Sequence, residues 1–184
     1  MTDLGKLRAG DATAVEALDI FDGLKPVDTA FMIGAWRGEE LPTGHPLDGF
    51  LAACRWHGKR FESEETAHPL VFSNRKSGLV CVDPKLVGAL LPLVGRVPLP
   101  KPAVVCRLFR IVMPLLVTRR SRARLRMTEY RGKLSATMIY DQLPIHDVFR
   151  RLDADSVVGA MDLKGMSPPF FFLLRRERSD RPTS

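Results

Sequence analysis

The chain has 184 residues, 45% of them hydrophobic, which suffices for one compact domain with a core and leaves two independent domains short of length. Its formal charge of +7 is uneven: residues 1–92 hold 10 Lys+Arg against 13 Asp+Glu, and residues 93–184 hold 18 against 8. Serine-nucleophile, phosphate-loop, Gly-x-Gly-x-x-Gly and His-Glu-x-x-His motifs are missing, as is metal-ligand spacing, so phosphotransfer, Rossmann chemistry and zinc proteolysis are disfavoured and no cofactor or metal is expected.

Thr13-Ala14-Val15-Glu16 has capping-box form, and Val15, Leu18, Phe21 and Leu24 follow at helical spacing up to Gly23 and Pro26, which predicts a short amphipathic helix. Thr29 to Leu41 reads as a strand carrying Gly34-Ala35-Trp36-Arg37-Gly38. Two glycines around an indole let another backbone or a ligand approach closely, so Trp36 either fills a core or covers one end of a small-molecule cavity. Pro46 suits a first helical turn, and Leu47, Phe50, Leu51 and Cys54 on one face predict a second helix ending at Gly58.

Three extended pieces follow, Lys59 to Phe61, Pro69 to Phe72 and Leu79 to Val82, the last two joined by a turn over 73–78. Pro84 to Pro102 reads as a short helix and an irregular connection. Ala103 to Val117 is apolar but interrupted by Arg107, Arg110 and Pro114. It is too short and too charged to span a membrane, and a core-facing or surface-lying amphipathic helix fits it better than a strand, although its valines and isoleucine suit both.

The last third alternates with period two. Ala123 to Tyr130 and Leu134 to Tyr140 flank the turn Arg131-Gly132-Lys133, Val148 to Leu152 and Val157 to Met161 form a second hairpin, and Pro169 to Leu174 closes before a polar tail from Arg175. Cys54, Cys81 and Cys106, odd in number and widely spaced, read as reduced buried thiols; with an N-terminus lacking an apolar leader they predict a cytoplasmic protein.

Several motifs together resemble a family of small proteins of unassigned function, an N-terminal GXWXG domain followed by a C-terminal domain of unknown function. They are Gly34 to Gly38, Trp56 to Phe61 with His68-Pro69-Leu70, Ala123 to Arg126 with Glu129 to Gly132, Met138 to Ile145 with Asp147 and Phe149, and Gly159 to Gly165 with Phe170 to Leu173. The likeness spans nearly the whole chain and implies no settled activity. A looser similarity is to calycin barrels, the lipocalin and fatty-acid-binding group, in which a Gly-x-Trp on the first strand begins a barrel around an apolar ligand.

These readings predict an α+β fold, a mainly antiparallel curved sheet or calycin-like β-barrel with accessory helices. One domain is expected over 1–184, with a GXWXG-containing half over 1–95 and an antiparallel half over 118–178. Trp36, Trp56, Phe61, Tyr140 and Phe172 would wall a pocket for a hydrophobic, lipid-like or fatty-acid-like molecule, with Arg37, Lys59 or Arg124 meeting an anionic headgroup. The alternative is a cofactor-independent isomerase, lyase or hydrolase using a histidine and a carboxylate, from His45 with Asp48 or from Tyr140-Asp141 with His146-Asp147 around the Leu143-Pro144-Ile145 bend. The basic run from Arg107 to Arg126 contains one aromatic, Phe109, so nucleic acid is disfavoured, an anionic lipid surface fits it somewhat better, and a plain solubilising face is the ordinary reading of such a run. No oligomeric state is specified.

Overall fold

The structure, a computed structural model, describes residues 3–74, 78–85, 88 and 102–178. In chain order these form α1 Asp3–Ala9, α2 Ala14–Gly23, β1 Lys25–Pro26, α3 Thr29–Met32, β2 Gly34–Leu41, α4 Phe50–Ala53, β3 Trp56–Phe61, β4 Ala67–Asn74 and β5 Gly78–Cys81. After these come α5 Pro102–Leu116, β6 Ala123–Tyr130, β7 Lys133–Tyr140, β8 Ile145–Arg151, β9 Ser156–Leu163 and β10 Phe170–Arg176.

Strands β2, β3, β4, β6, β7, β8, β9 and β10 pair antiparallel in that order, and β10 pairs back to β2, so the sheet closes on itself. Strands β1 and β5 hang from the ring, on β8 and β4. This is the expected α+β fold with calycin-like barrel character. Its thinnest seam is β4 to β6, one residue pair, Ala67 with Ala123, reinforced by the Ser121 hydroxyl, which accepts from the Ala67 N–H at 3.0 Å.

Closure gives every strand an inner and an outer face. On β10 the inner set, Phe170, Phe172 and Leu174, joins the interior core, while Phe171 and Leu173 point outward to Leu7, Ala17 and Phe21 beneath α1 and α2. Three consecutive phenylalanines are thus explained by a strand covered on both sides. The Thr13 capping box forms as expected, with the Thr13 N–H donating to Glu16 at 2.7 Å.

Several sequence-based boundaries are corrected. Thr29 to Met32 is helical because the Asp28 carboxylate caps it, accepting from the Phe31 N–H at 2.7 Å, and the strand begins only at Gly34. The helix expected from Pro46 to Gly58 shrinks to Phe50–Ala53, since Gly49 enters with a left-handed φ of 82° and β3 has already begun at Trp56. Arg175 and Arg176 extend β10 instead of fraying. Residues 103–116 are helical, and most of the stretch read as a short helix and connection after Pro84 lies outside the described residues.

Cys54 and Cys106 form a disulfide joining α4 to α5, which corrects the expectation of three reduced thiols; Cys81 is free. The two half-cystines are 52 residues apart in sequence, and only the packing of α5 against α4 brings them together. The inference to a reducing compartment loses its support with them. No described helix is long and apolar enough to cross a membrane.

Candidate functional site

Each glycine of the Gly34-x-Trp36-x-Gly38 element has a distinct task. Gly34 turns into β2 with φ 130°, a conformation other residues rarely adopt. A β-carbon on Gly38 would lie 2.2 Å from the Trp56 ring, so the absent side chain is the space that the second indole occupies. Trp36 itself is fully buried, its Nε1 donates to the Met32 carbonyl at 2.7 Å, and the Arg176 guanidinium covers its ring at 4.3 Å. The helix α3 that supplies this carbonyl leads into β2 yet touches β6 and β7 across the ring, so Trp36 and α3 together close one end of the barrel.

Farther inside lies a buried polar centre. Lys59, 4% exposed, donates from Nζ to Asp147 Oδ2 at 2.7 Å and to the Pro69 carbonyl at 3.2 Å. The ammonium sits 4.8 Å from the Phe172 ring centroid, 5.6 Å from that of Trp56 and 5.8 Å from that of Tyr140. Local irregularity makes this possible. At Gly58, where an added β-carbon would strike the Trp36 carbonyl at 1.9 Å, a register shift between β3 and β4 turns both Trp56 and Lys59 inward although they are three residues apart.

Burial pushes the Asp147 carboxyl up, and the Lys59 charge opposes that push without cancelling it. Burial likewise holds the Tyr140 phenol well above its usual range, and the neighbouring Asp147 charge raises it further. The phenol lies close enough to Asp147 for a hydrogen-bonding effect that pulls the carboxyl down, yet in strict geometry Asp147 Oδ1 has no hydrogen-bond partner among the described residues, nor has the buried Trp56 Nε1. A barrel interior rich in aromatic rings therefore holds one neutralised ion pair, an unpaired carboxylate oxygen and an unpaired indole N–H. The rings pack closely around this centre, Trp56 to Phe172 at 5.9 Å and Phe61 to Phe149 at 5.7 Å between centroids. A cavity of ≈ 290 Å³ lies elsewhere, on the outer side against α1 and α2, lined by Lys6, Ala12, Glu16, Asp19 and Ile20.

The structure brings Trp56, Lys59, Tyr140 and Phe172 together, with Phe61 joining through the ring of Phe149. It sets the other candidates apart. Arg37 is exposed on the outer face of β2, and Arg124, also outside, faces Asp141 at 3.8 Å. His146 is exposed because it alternates with Asp147 on β8. Asp48 organises a loop: its Oδ2 accepts from the N–H groups of Thr43, Gly44 and His45 at 3.0, 2.9 and 2.8 Å. His45 is buried against Phe170, its Nδ1 accepts from the Leu47 N–H at 3.1 Å, and burial lowers its pKa. In the neutral ring Nε2 then carries the proton, and the nitrogen able to act as a base is occupied. No cluster of three or more potential metal ligands occurs among the described residues.

The sequence places Asp147 beside His146 in the second histidine–carboxylate cluster, whereas the structure sets it inside the barrel opposite Lys59. Its signal was periodicity: Ile145, Asp147 and Phe149 share one face of β8, and a lone acid between two core apolar residues requires a buried partner.

Comparisons with known proteins agree with this reading of the motifs. A family described as GXWXG protein matches residues 19–77, and one described as Domain of unknown function (DUF4334) matches residues 121–176. No curated protein matches. A crystal structure of a protein from Thermomonospora curvata is similar over 95% of each chain, at 32% identity and a TM-score of 0.68. The chain belongs to the family of GXWXG proteins that carry a C-terminal domain of unknown function.

Proposed function

We propose that the barrel binds a small hydrophobic molecule whose one polar group docks at the Lys59–Asp147 pair. The observation that carries this reading is the presence, in an aromatic interior, of two buried and unpaired polar atoms, the donor Trp56 Nε1 and the acceptor Asp147 Oδ1. A buried polar group left unpaired costs free energy, on the order of 1–3 kcal/mol, which a guest that pairs it would recover. Such a guest both accepts and donates, as an alcohol, an amide or a protonated acid does. An ionised carboxylate is a poorer match, because Lys59 is already neutralised and Asp147 would repel it.

Mass spectrometry of the purified protein under native conditions, followed by titration with dodecanol and dodecanoate, tests the reading. A retained apolar molecule, or saturable binding of the alcohol that is stronger than that of the carboxylate and weakened about tenfold in Trp56→Phe, supports it. Binding of neither ligand, with no molecule retained, overturns it.

A second reading rests on the raised Asp147 carboxyl beside a phenol and an ammonium. That set fits acid–base chemistry on the bound molecule, a cofactor-independent isomerisation, elimination or hydrolysis. Conversion of the retained molecule that stops in Asp147→Asn while binding persists would select it over simple carriage.

A further inference from the structure

Helix α5 turns an apolar stripe outward. Val104, Leu108, Ile111 and Leu115 are 53%, 61%, 69% and 87% exposed. At helical spacing they fall within about 60° of arc, and the buried Cys106 and Met113 lie about 180° away. The inward side is fully committed: Phe109 packs on Phe72 at 5.1 Å between ring centroids, and Cys106 is bonded to Cys54. The outward stripe is therefore a second apolar face and not a core-facing side left uncovered by a loose helix.

The charge around it has one sign. Arg107 is exposed on the flank of the stripe, Arg119 and Arg120 are exposed just beyond its end, and none of the three forms an ion pair among the described residues; Arg110 is exposed too but lies about 100° from the stripe's edge, toward the opposite side of the helix. The other basic residues of the run are already occupied: Arg122 pairs with Asp83 at 2.6 Å, Arg124 faces Asp141, and Arg126 meets Glu65 at 2.5 Å. No acidic residue occurs in the sequence between Asp83 and Glu129. With 15 residues and an internal proline, α5 does not meet the length of a span.

We propose that α5 docks flat on an anionic lipid surface, its Val104–Leu108–Ile111–Leu115 stripe entering the headgroup boundary and Arg107, Arg119 and Arg120 meeting the lipid phosphates. An amphipathic helix gains from apolar insertion and from counter-charge together, and α5 presents both on one side of the molecule. The disulfide to α4 ties down the opposite face of α5, at Cys106, and so leaves the stripe facing outward. Another copy of this chain would bring the same arginines face to face, so the charge favours lipid over self-association.

Co-sedimentation with vesicles of phosphatidylcholine containing 30% phosphatidylserine, alongside pure phosphatidylcholine vesicles, tests the proposal on the full chain. The protein is expected to bind the anionic vesicles and not the neutral ones, and to come off as salt is raised. Arg107→Gln should weaken binding about fivefold, and Arg110→Gln, at a position that points away from the stripe, should weaken it less. Leu108→Glu with Ile111→Glu should abolish it while leaving the melting temperature and circular dichroism unchanged, because both side chains are exposed. Should the double variant lose its fold, Leu115→Ser, at the most exposed position, provides the same reading with one change. Absence of binding at millimolar lipid overturns the proposal, as does equal binding to neutral vesicles. A dimer in sedimentation velocity that Leu108→Glu dissociates would instead assign the stripe to self-association.

Discussion

The indole of Trp56 occupies the space where Gly38 would carry a side chain: an added β-carbon would meet three of its ring atoms, at 2.2, 2.3 and 2.8 Å. The second glycine of the motif and the tryptophan that follows it on the neighbouring strand are one packing unit. Gly38→Ala is expected to cost about 1–3 kcal/mol, since Trp56 is held by Phe172 on its other side and cannot retreat without disturbing that ring. The cost should shrink when Trp56→Phe is added, because the contacts are with the benzo portion of the indole. Urea denaturation of the two single variants and the double variant checks this, and additive losses would show the two residues to be independent.

The Lys59–Asp147 pair leads to a second expectation. Lys59→Met leaves a carboxylate buried without its cation, which should cost about 3–5 kcal/mol at neutral pH. The sign of the pH dependence follows from Asp147. Burial raises its carboxyl above 3.8 in the folded state, so the fold holds that proton more tightly than the unfolded chain, and this group's contribution becomes less favourable as pH rises through the raised value. Removing Lys59 takes away the charge that opposes the rise. The deficit of Lys59→Met should therefore be small at acid pH and grow toward neutrality, a trend that guanidinium melts at pH 5 and pH 8 would show. Asp147→Leu combined with Lys59→Met should recover much of the loss.

What could be seen in the sequence followed from local physics. The hairpins β6–β7 and β8–β9 were legible because period-two alternation met Arg131-Gly132 and Asp153-Ala154-Asp155-Ser156 turns, and α2 because Thr13 and Glu16 cap it reciprocally. The four-residue helix α3 was hidden inside an apolar run whose β-branched and aromatic residues suit strands, and only the Asp28 cap marks it. The aromatic and cationic members of the buried centre were named from residue type, but their assembly was not readable. It depends on a register shift at Gly58 and on ring closure between β10 and β2, both set by contacts distant in sequence. The disulfide escaped for the same reason.

A third expectation concerns the surface. Arg131 grips Asp22 with Nε at 2.8 Å from one carboxylate oxygen and Nη2 at 2.6 Å from the other, tying the β6–β7 turn to the end of α2. The hydrogen bond from Arg131 holds the Asp22 carboxyl below 3.8 in the folded state. A depressed carboxyl contributes stability that is present above the unfolded value and disappears as pH falls through the folded one. Because the pair is roughly a third exposed, solvent screens it, and Asp22→Asn should cost no more than about 1 kcal/mol at pH 7. The gap from the parent should close in melts taken near pH 2, and it should narrow in high salt.

The bridge between Cys54 and Cys106 closes a loop of 52 residues, and its largest effect is on the unfolded chain, which is denied the conformations that separate the two ends. For a loop of that length the chain-entropy argument gives an upper figure of about 4 kcal/mol, and engineered examples commonly return less, so a loss of about 2–4 kcal/mol is expected for Cys54→Ser with Cys106→Ser. The loss should be unequal across the molecule. The barrel strands are joined by their own ladder, whereas α5 is joined to α4 by this bridge and to the barrel by Phe109, Met113 and Leu116. Hydrogen exchange should accordingly rise more in α5 than in β7 to β10 once the bridge is removed. Mass spectrometry without reductant would show a deficit of two protons in the parent chain, and equal exchange in α5 before and after reduction would show that the helix is held by packing alone.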